Sequence, residues 1–290
     1  MATLVDSDWK VKQYSSGVLH LAQLKGAVTP GLVSQRGKVV GDRVYFSRMS
    51  PAAATVKTTS GGDTPVGPEL GSRRAGALIT YEYGSPLIDD TDVLENIHDP
   101  ASEYQLAGGY AFQRAKDDIV IAAINGSAYS GVAGATAVVL PSAQKVAAAS
   151  TGLTLAKLIA AKQLIMEADV DPDVPMALLL APEQVSDLLN TTEVKSADYN
   201  EVKALVAGKI DTFMGFKFVQ TTRLNVDSAS ARLCLAFQRD AVGLFMQREV
   251  KTKILHRVDK SDAKQVYATM KMGATRIEDT GVVEIACVEA

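Results

Sequence analysis

Between Arg43 and Leu87 the apolar positions fall into two short β-prone runs, Arg43-Val44-Tyr45-Phe46-Ser47-Arg48-Met49 and Ala77-Leu78-Ile79-Thr80-Tyr81-Glu82-Tyr83. The residues between them, including Ser60-Gly61-Gly62-Asp63-Thr64-Pro65-Val66-Gly67-Pro68, are dense in Gly, Pro, Ser and Thr. This pattern predicts a long two-stranded arm with a loose tip. An isolated two-stranded ribbon is at best marginally stable in water, so such an arm needs another surface to lie on. The plain alternative is a long surface loop.

The strongest helical period comes next. Asp89 to His98 is acidic and reads as a short helix. Asp99 then serves as N-cap, Pro100 takes the first helical position and Glu103 the first turn. From there Tyr104, Gly108, Ala111, Ala115, Ile119, Ala122 and Ala123 recur largely at intervals of three and four, and Asn125-Gly126 ends the run. The result is one helix of about 26 residues, roughly 39 Å long. Gly108-Gly109 inside it costs about 1 kcal/mol each relative to Ala, so a bend or a close packing contact is expected there.

The flanking segments are less regular. Residues 1–40 carry weak periodicity, broken by Gly26, Pro30, Gly31 and Gly37, and read as an extended arm with one short helix between Val11 and Leu24. Residues 126–152 are small and read as a flexible connection, which places a domain boundary near residue 150. A compact α/β unit follows. It comprises an amphipathic helix over Leu153–Ala168 (apolar at Leu155, Leu158, Ile159, Ala161, Ile165 and Met166), a buried strand over Pro175–Ala181 and a short helix over Pro182–Leu189. After a polar loop, Thr191–Asn200, and a helical turn, Glu201–Ala207, five strands are expected: Gly215–Val219, Arg232–Phe237, Glu249–Val258, Lys264–Lys271 and Gly281–Val288.

Composition narrows the function classes. The 290 residues suit roughly two domains. A hydrophobic fraction of 47% with 22% charged residues is that of a globular chain. A net charge of −3 gives no global attraction to nucleic acid or anionic membrane, so any polyanion contact rests on a local patch. The N-terminus lacks a secretory pattern, and no window approaches the roughly 20 apolar residues of a membrane span. Cys234 and Cys287 sit in apolar runs and read as buried free thiols, which fits a reducing cytosolic origin.

Catalytic signatures are missing. His20, His98 and His256 lack metal-ligand spacing, so no metal site is assigned. There is no G-x-S-x-G elbow, and Gly208-Lys209-Ile210 lacks the glycine and hydroxyl positions of a phosphate loop. Asp89-Asp90 and Asp117-Asp118 read as solvated or helix-surface acids rather than a catalytic pair. No cofactor is implied. One charged feature stands out: Arg248 to Arg276 holds eight Lys or Arg against three acids. Period-two alternation puts Lys251, Lys253 and Arg257 on one strand face, a DNA-facing or scaffold-facing surface or, more plainly, a solvated face.

The order of these parts resembles the major capsid proteins of tailed bacteriophages, with the Hong Kong 97-like shell fold. The resemblance rests on the arm 43–87, the long helix 100–125, and the run Ser196-Ala197-Asp198-Tyr199-Asn200…Leu205-Val206-Ala207-Gly208-Lys209-Ile210…Met214-Gly215-Phe216. Ala241-Val242-Gly243-Leu244-Phe245-Met246-Gln247-Arg248-Glu249-Val250 is similar to the next stretch of those proteins as well. The resemblance implies an α+β chain with five parts. They are an N-terminal arm (1–42), an E-loop hairpin (43–88), a peripheral domain with a spine helix (89–150), an α/β axial domain (151–247) and strands returning to the peripheral sheet (248–290).

The implied function is self-assembly into hexamers and pentamers of an icosahedral head around double-stranded DNA, in the virion capsid, built in the bacterial host cytoplasm. Portal and scaffolding proteins, and a decoration protein, are the further partners, with no membrane role. The alternatives are an encapsulin-type compartment shell and a two-domain enzyme with a mobile lid at 43–87. Within the arm, Lys57, Arg73, Arg74, Gly61 and Gly62 are the expected intersubunit contacts. Lys57 is the only lysine of the arm, and the lysine–asparagine cross-link of some members is not carried over to it.

Overall fold

Strands far apart in sequence complete each sheet of the protein. The computed structural model describes residues 25–37, 39–58, 60–61, 66–89, 100–168, 171, 173–190 and 212–289. In chain order these form β1 (Ser34–Arg36), β2 (Arg43–Met49), β3 (Gly71–Ala77), β4 (Ile79–Gly84), α1 (Pro100–Asn125), β5 (Ala128–Ser130), β6 (Thr136–Val138) and β7 (Lys145–Val146). Then come α2 (Leu155–Met166), β8 (Met176–Leu180), α3 (Pro182–Asn190), β9 (Thr212–Phe213), β10 (Phe216–Gln220), β11 (Ala231–Gln238), β12 (Val242–Arg257), β13 (Ala263–Arg276) and β14 (Val282–Val288). The sheets run β7-β14-β11-β8-β10-β9, β1-β12-β13-β4 and β2-β3-β5-β6.

The six-stranded sheet holds the most apolar strand. β8 reads Met-Ala-Leu-Leu-Leu and is buried at every position, the pattern of a strand covered on both faces. It pairs parallel with β10 and antiparallel with β11. On this sheet lies α2, begun by Thr154, whose hydroxyl accepts from Lys157 N at 3.4 Å. Leu158, Ala161 and Ile165 are its buried stripe, while Ile159 and Met166 face solvent. The inward face is thus narrower than the apolar pattern suggested.

The β1-β12-β13-β4 sheet is backed by α1. Ala268, Met270 and Met272 alternate along β13 and join the core cluster that Phe112, Ile119, Val120 and Ile124 of the helix enter. Gly108 explains itself here: a Cβ at that position would stand 2.7 Å from Tyr83 Cδ1, so the helix needs glycine where β4 passes under it. Gly109 has open space around it. Of the two outcomes expected at this pair, the contact is the one present, and only at Gly108.

Four expectations need correction. The arm's second strand is β3, Gly71–Ala77, which pairs with β2 from Arg43↔Ala77 to Met49↔Gly71. Ile79–Gly84 instead pairs with β13. The C-terminal strand β14 does not return to the sheet under α1; it pairs with β11 and β7 in the six-stranded sheet. Residues 126–152, expected as a flexible connection, carry β5, β6 and β7. β12 runs unbroken through the 247/248 division, and one cluster of buried side chains extends from Leu32 to Cys287.

The predicted helix between Val11 and Leu24, most of the acidic helix from Asp89 and the Ser196–Ile210 run lie outside the described residues. Among the described residues, no helix is long and apolar enough to cross a membrane.

Candidate assembly surfaces

The arm divides into an anchored root and an uncovered tip. Beyond the Ser50 N to Leu70 O hydrogen bond (3.0 Å), residues 51–58 and 66–70 form no helix or strand. Val56 and Val66 are almost fully exposed there, and Lys57 is exposed. Gly61 sits at φ +79°, a conformation that favours glycine, at the turn. Gly62 lies outside the described residues. Arg73 is exposed on β3, opposite Ser47.

Arg74 is not the surface contact it was expected to be. It is 3% exposed and ion-pairs with Asp279 of its own chain. Burial pushes its guanidinium below the usual value, and the Asp279 charge opposes that shift. The cause is register: adjacent residues of a strand face opposite sides, so Arg73 goes out and Arg74 goes in.

Arg74 belongs to a charge cluster that roots the arm. Asp279 also accepts from Arg276 Nε at 2.6 Å. Arg276 is fully buried (0% exposed), and its other nitrogens donate to the Ile124, Gly126 and Val138 carbonyls at 2.9, 2.7 and 2.9 Å. One guanidinium thereby ties the end of α1, β6 and the turn after β13 together. Arg48 of β2 donates to Ile277 O at 3.1 Å and pairs with Glu278 at 3.3 Å. Glycine permits the accompanying close approach. A Cβ at Gly76 would lie 2.4 Å from the Phe245 ring, and one at Gly273 2.2 Å from Ala77 O. No local pattern pairs Arg74 with Asp279, which are 205 residues apart.

A second surface is the face of the β1-β12-β13-β4 sheet turned away from α1. Residues directly opposite in a ladder share a face. Arg248, Lys271 and Thr80 therefore form one rung, Lys251, Thr269 and Glu82 the next, and Lys253, Tyr267 and Gly84 a third. Arg248, Lys251 and Lys253 are exposed and Lys271 half-exposed. Arg257, expected beside them, is engaged within the chain by Asp259 at 2.8 Å and Gln265 at 3.1 Å. Thr80, Glu82, Arg248, Tyr267 and Lys271 line a shallow groove of about 460 Å³.

Buried polar groups elsewhere are structural. Asp117, expected on the helix surface, is 0% exposed and accepts from Thr29 N and Thr29 Oγ1 at 2.9 and 2.8 Å. Asp118 pairs with Arg223. Lys157 Nζ lies within 3.0 Å of the Ala148, Thr151, Gly152 and Ala286 carbonyls, and burial lowers its pKa. Cys234 and Cys287 are free and buried. Among the described residues no group of His, Cys, Asp or Glu could hold a metal ion.

A helix-backed sheet with a long rooted arm, and polar clusters that knit the chain rather than converge on a reacting centre, defines a shell-building fold. The comparisons agree. The family model described as "Phage capsid protein" matches residues 7–289, and the chain belongs to that family of structural proteins. Its fold is similar to the capsid of cyanophage P-SCSP1u, with a TM-score of 0.74 at 17% identity over 98% of this chain and 94% of that one. It is also similar to the capsid of cyanophage Pam1, with a TM-score of 0.73 at 14% identity over 100% and 99%. For the head of Helicobacter pylori bacteriophage KHP40 the TM-score is 0.74 at 10% identity over 100% and 99%. No curated protein sequence matches the chain. The fold is the Hong Kong 97-like one, and the chain is a shell-forming major capsid protein of the virion; neither the compartment nor the enzyme reading is favoured.

Proposed function

We propose that the chain assembles into hexamers and pentamers that close an icosahedral head around double-stranded DNA in the host cytoplasm. The observation that carries this is the arm: its root is tied into its own chain by Arg48 and Arg74, while its tip has no such cover. Head-to-tail contacts of this kind close into rings when the rotation allows. Lys57, Gly61, Gly62 and Arg73 are the contacts to the neighbouring subunit. The division into N-terminal arm, E-loop, peripheral and axial parts describes how the chain is used in the shell, with β14 counted in the axial sheet. Lys251 and Lys253 face DNA or a scaffolding protein, and a portal and a decoration protein complete the partner set.

The test is to replace Pro51–Glu69 with Asn-Gly, which keeps the Ser50–Leu70 pair and closes β2 and β3 with a two-residue hairpin turn. The shortened chain is expected to fold with an unchanged melting temperature and to give no closed shells by negative-stain microscopy. Shells of normal size and yield from the shortened chain would sink the proposal.

A further inference from the structure

The sheet face carrying Arg248, Lys251, Lys253 and Lys271 gathers four cations on three neighbouring rungs, none of them tied up among the described residues. Arg48, Arg74, Arg223, Arg232, Arg257 and Arg276 all ion-pair within the chain. The four cations of this face make no hydrogen bond or ion pair among the described residues. Glu82 is the one acid on the same three rungs. The face thus presents four cations against the single carboxylate of Glu82, on an otherwise acidic chain of net charge −3.

We propose that this face binds an acidic polypeptide segment lying extended along β4 and β13, with its carboxylates on Arg248, Lys251, Lys253 and Lys271. Two features favour that partner. The cationic rungs are two residues apart on β13, about 6.8 Å, which is also the spacing of same-side side chains along an extended peptide. The rungs span about 14 Å, over which duplex DNA presents roughly eight charges at one per 1.7 Å, more than four cations and an interposed carboxylate match. The proposal rests on Lys251 and Lys253 being partner-facing and not on shell closure, so it is tested on the full-length unassembled chain.

The probes are a fluorescein-labelled peptide of alternating Glu and Thr and a labelled DNA duplex, followed by anisotropy at low salt. The peptide is expected to bind, and the Lys251→Glu/Lys253→Glu variant to bind it at least about tenfold more weakly, the size of two lost and reversed charge contacts. Lys217→Glu, an exposed charge reversal on the six-stranded sheet, should leave binding unchanged. Glu82→Gln should tighten it, which keeps the idea open to test should the double variant fold poorly by circular dichroism. Absent peptide binding, or binding indifferent to both substitutions, overturns the proposal. So does a duplex that binds more tightly than the peptide with a log–log salt slope near about −3.6, the value for four phosphate contacts, abolished in the double variant.

Discussion

Asp279→Asn is the substitution that most directly tests how the arm is rooted. The carboxylate stands between Arg74, 3% exposed, and Arg276, fully buried, and is itself largely shielded. Replacing it leaves two inward guanidiniums without an anion. Arg276 keeps its three carbonyl acceptors, but among the described residues Arg74 has no other acceptor and its Nε is already buried without a partner. Removing one member of a buried ion pair costs about 3–5 kcal/mol, because the remaining charge is stranded rather than merely unpaired. Glu278→Gln provides the internal control. Its pair with Arg48 is 28% and 45% exposed, so its loss should cost about 1 kcal/mol or less. Guanidinium denaturation of the unassembled chain, with melting temperatures alongside, measures both; at roughly 2–4 °C per kcal/mol the Asp279 variant should melt about 10 °C lower. Arg74→Met in the Asp279→Asn background should recover part of the loss, since it removes one stranded charge. Equal, small costs for Asp279→Asn and Glu278→Gln would refute the reasoning.

The two adjacent glycines of α1 should part company. Gly108→Ala drives a methyl group to within 2.7 Å of the Tyr83 ring and should destabilise by about 1–3 kcal/mol, whereas Gly109→Ala meets open space and should stabilise by up to about 1 kcal/mol. Denaturation midpoints of the two variants decide it, and shifts of the same sign would contradict the packing. At the C-terminal end of the six-stranded sheet, the Arg232 hydrogen bond holds the Glu289 carboxyl below its ordinary 4.5. A folded pKa below the unfolded one gives stability that is present above about pH 4.5 and lost as pH falls through the folded value. Glu289→Gln should therefore flatten the acid limb of a stability–pH curve. An unchanged limb would show that the Glu289 carboxyl contributes nothing to the acid transition.

How far the chain was legible depended on whether a feature was local. The bounds of α1 follow from Pro100 and Asn125-Gly126, and β8 from an apolar run between two prolines, because capping and burial write themselves into neighbouring residues. The arm's return strand was misplaced because Gly-Ser-Arg-Arg-Ala-Gly-Ala has almost no apolar alternation. Its inward side is made of small residues where Phe245 needs room, and of an arginine that is buried only because Asp279 meets it. In a strand over Gly71–Ala77, period two points Arg73 and Arg74 to opposite sides. Asp117 misled for a related reason: its hydrogen-bond donors, Val28 and Thr29, lie in a segment without periodicity. β14 has the apolar character of a buried strand in either sheet, and nothing local chooses between them.

Among the described residues, most of the cations fixed within the chain are arginines, although Lys145 and Lys157 are fixed too and Arg248 is not, and the division between fixed and free cations separates what is rigid from what is left for a partner. Arginines 36, 43, 48, 74, 223, 232, 257 and 276 all bond to carbonyls or carboxylates of their own chain. A planar fork of donors is suited to fixed, multidentate contacts that hold one geometry. Lys57, Lys251 and Lys253 remain outside such networks on exposed backbone, where a flexible stem can meet more than one surface. An arm anchored through Arg48, Arg74 and Arg276 transmits a direction from the body of the subunit to its tip, because the root cannot pivot without stranding a buried guanidinium. Whatever variation in angle the shell demands must then be taken up beyond Ser50 and Leu70, where the described residues have neither strand pairing nor ion pairs to lose.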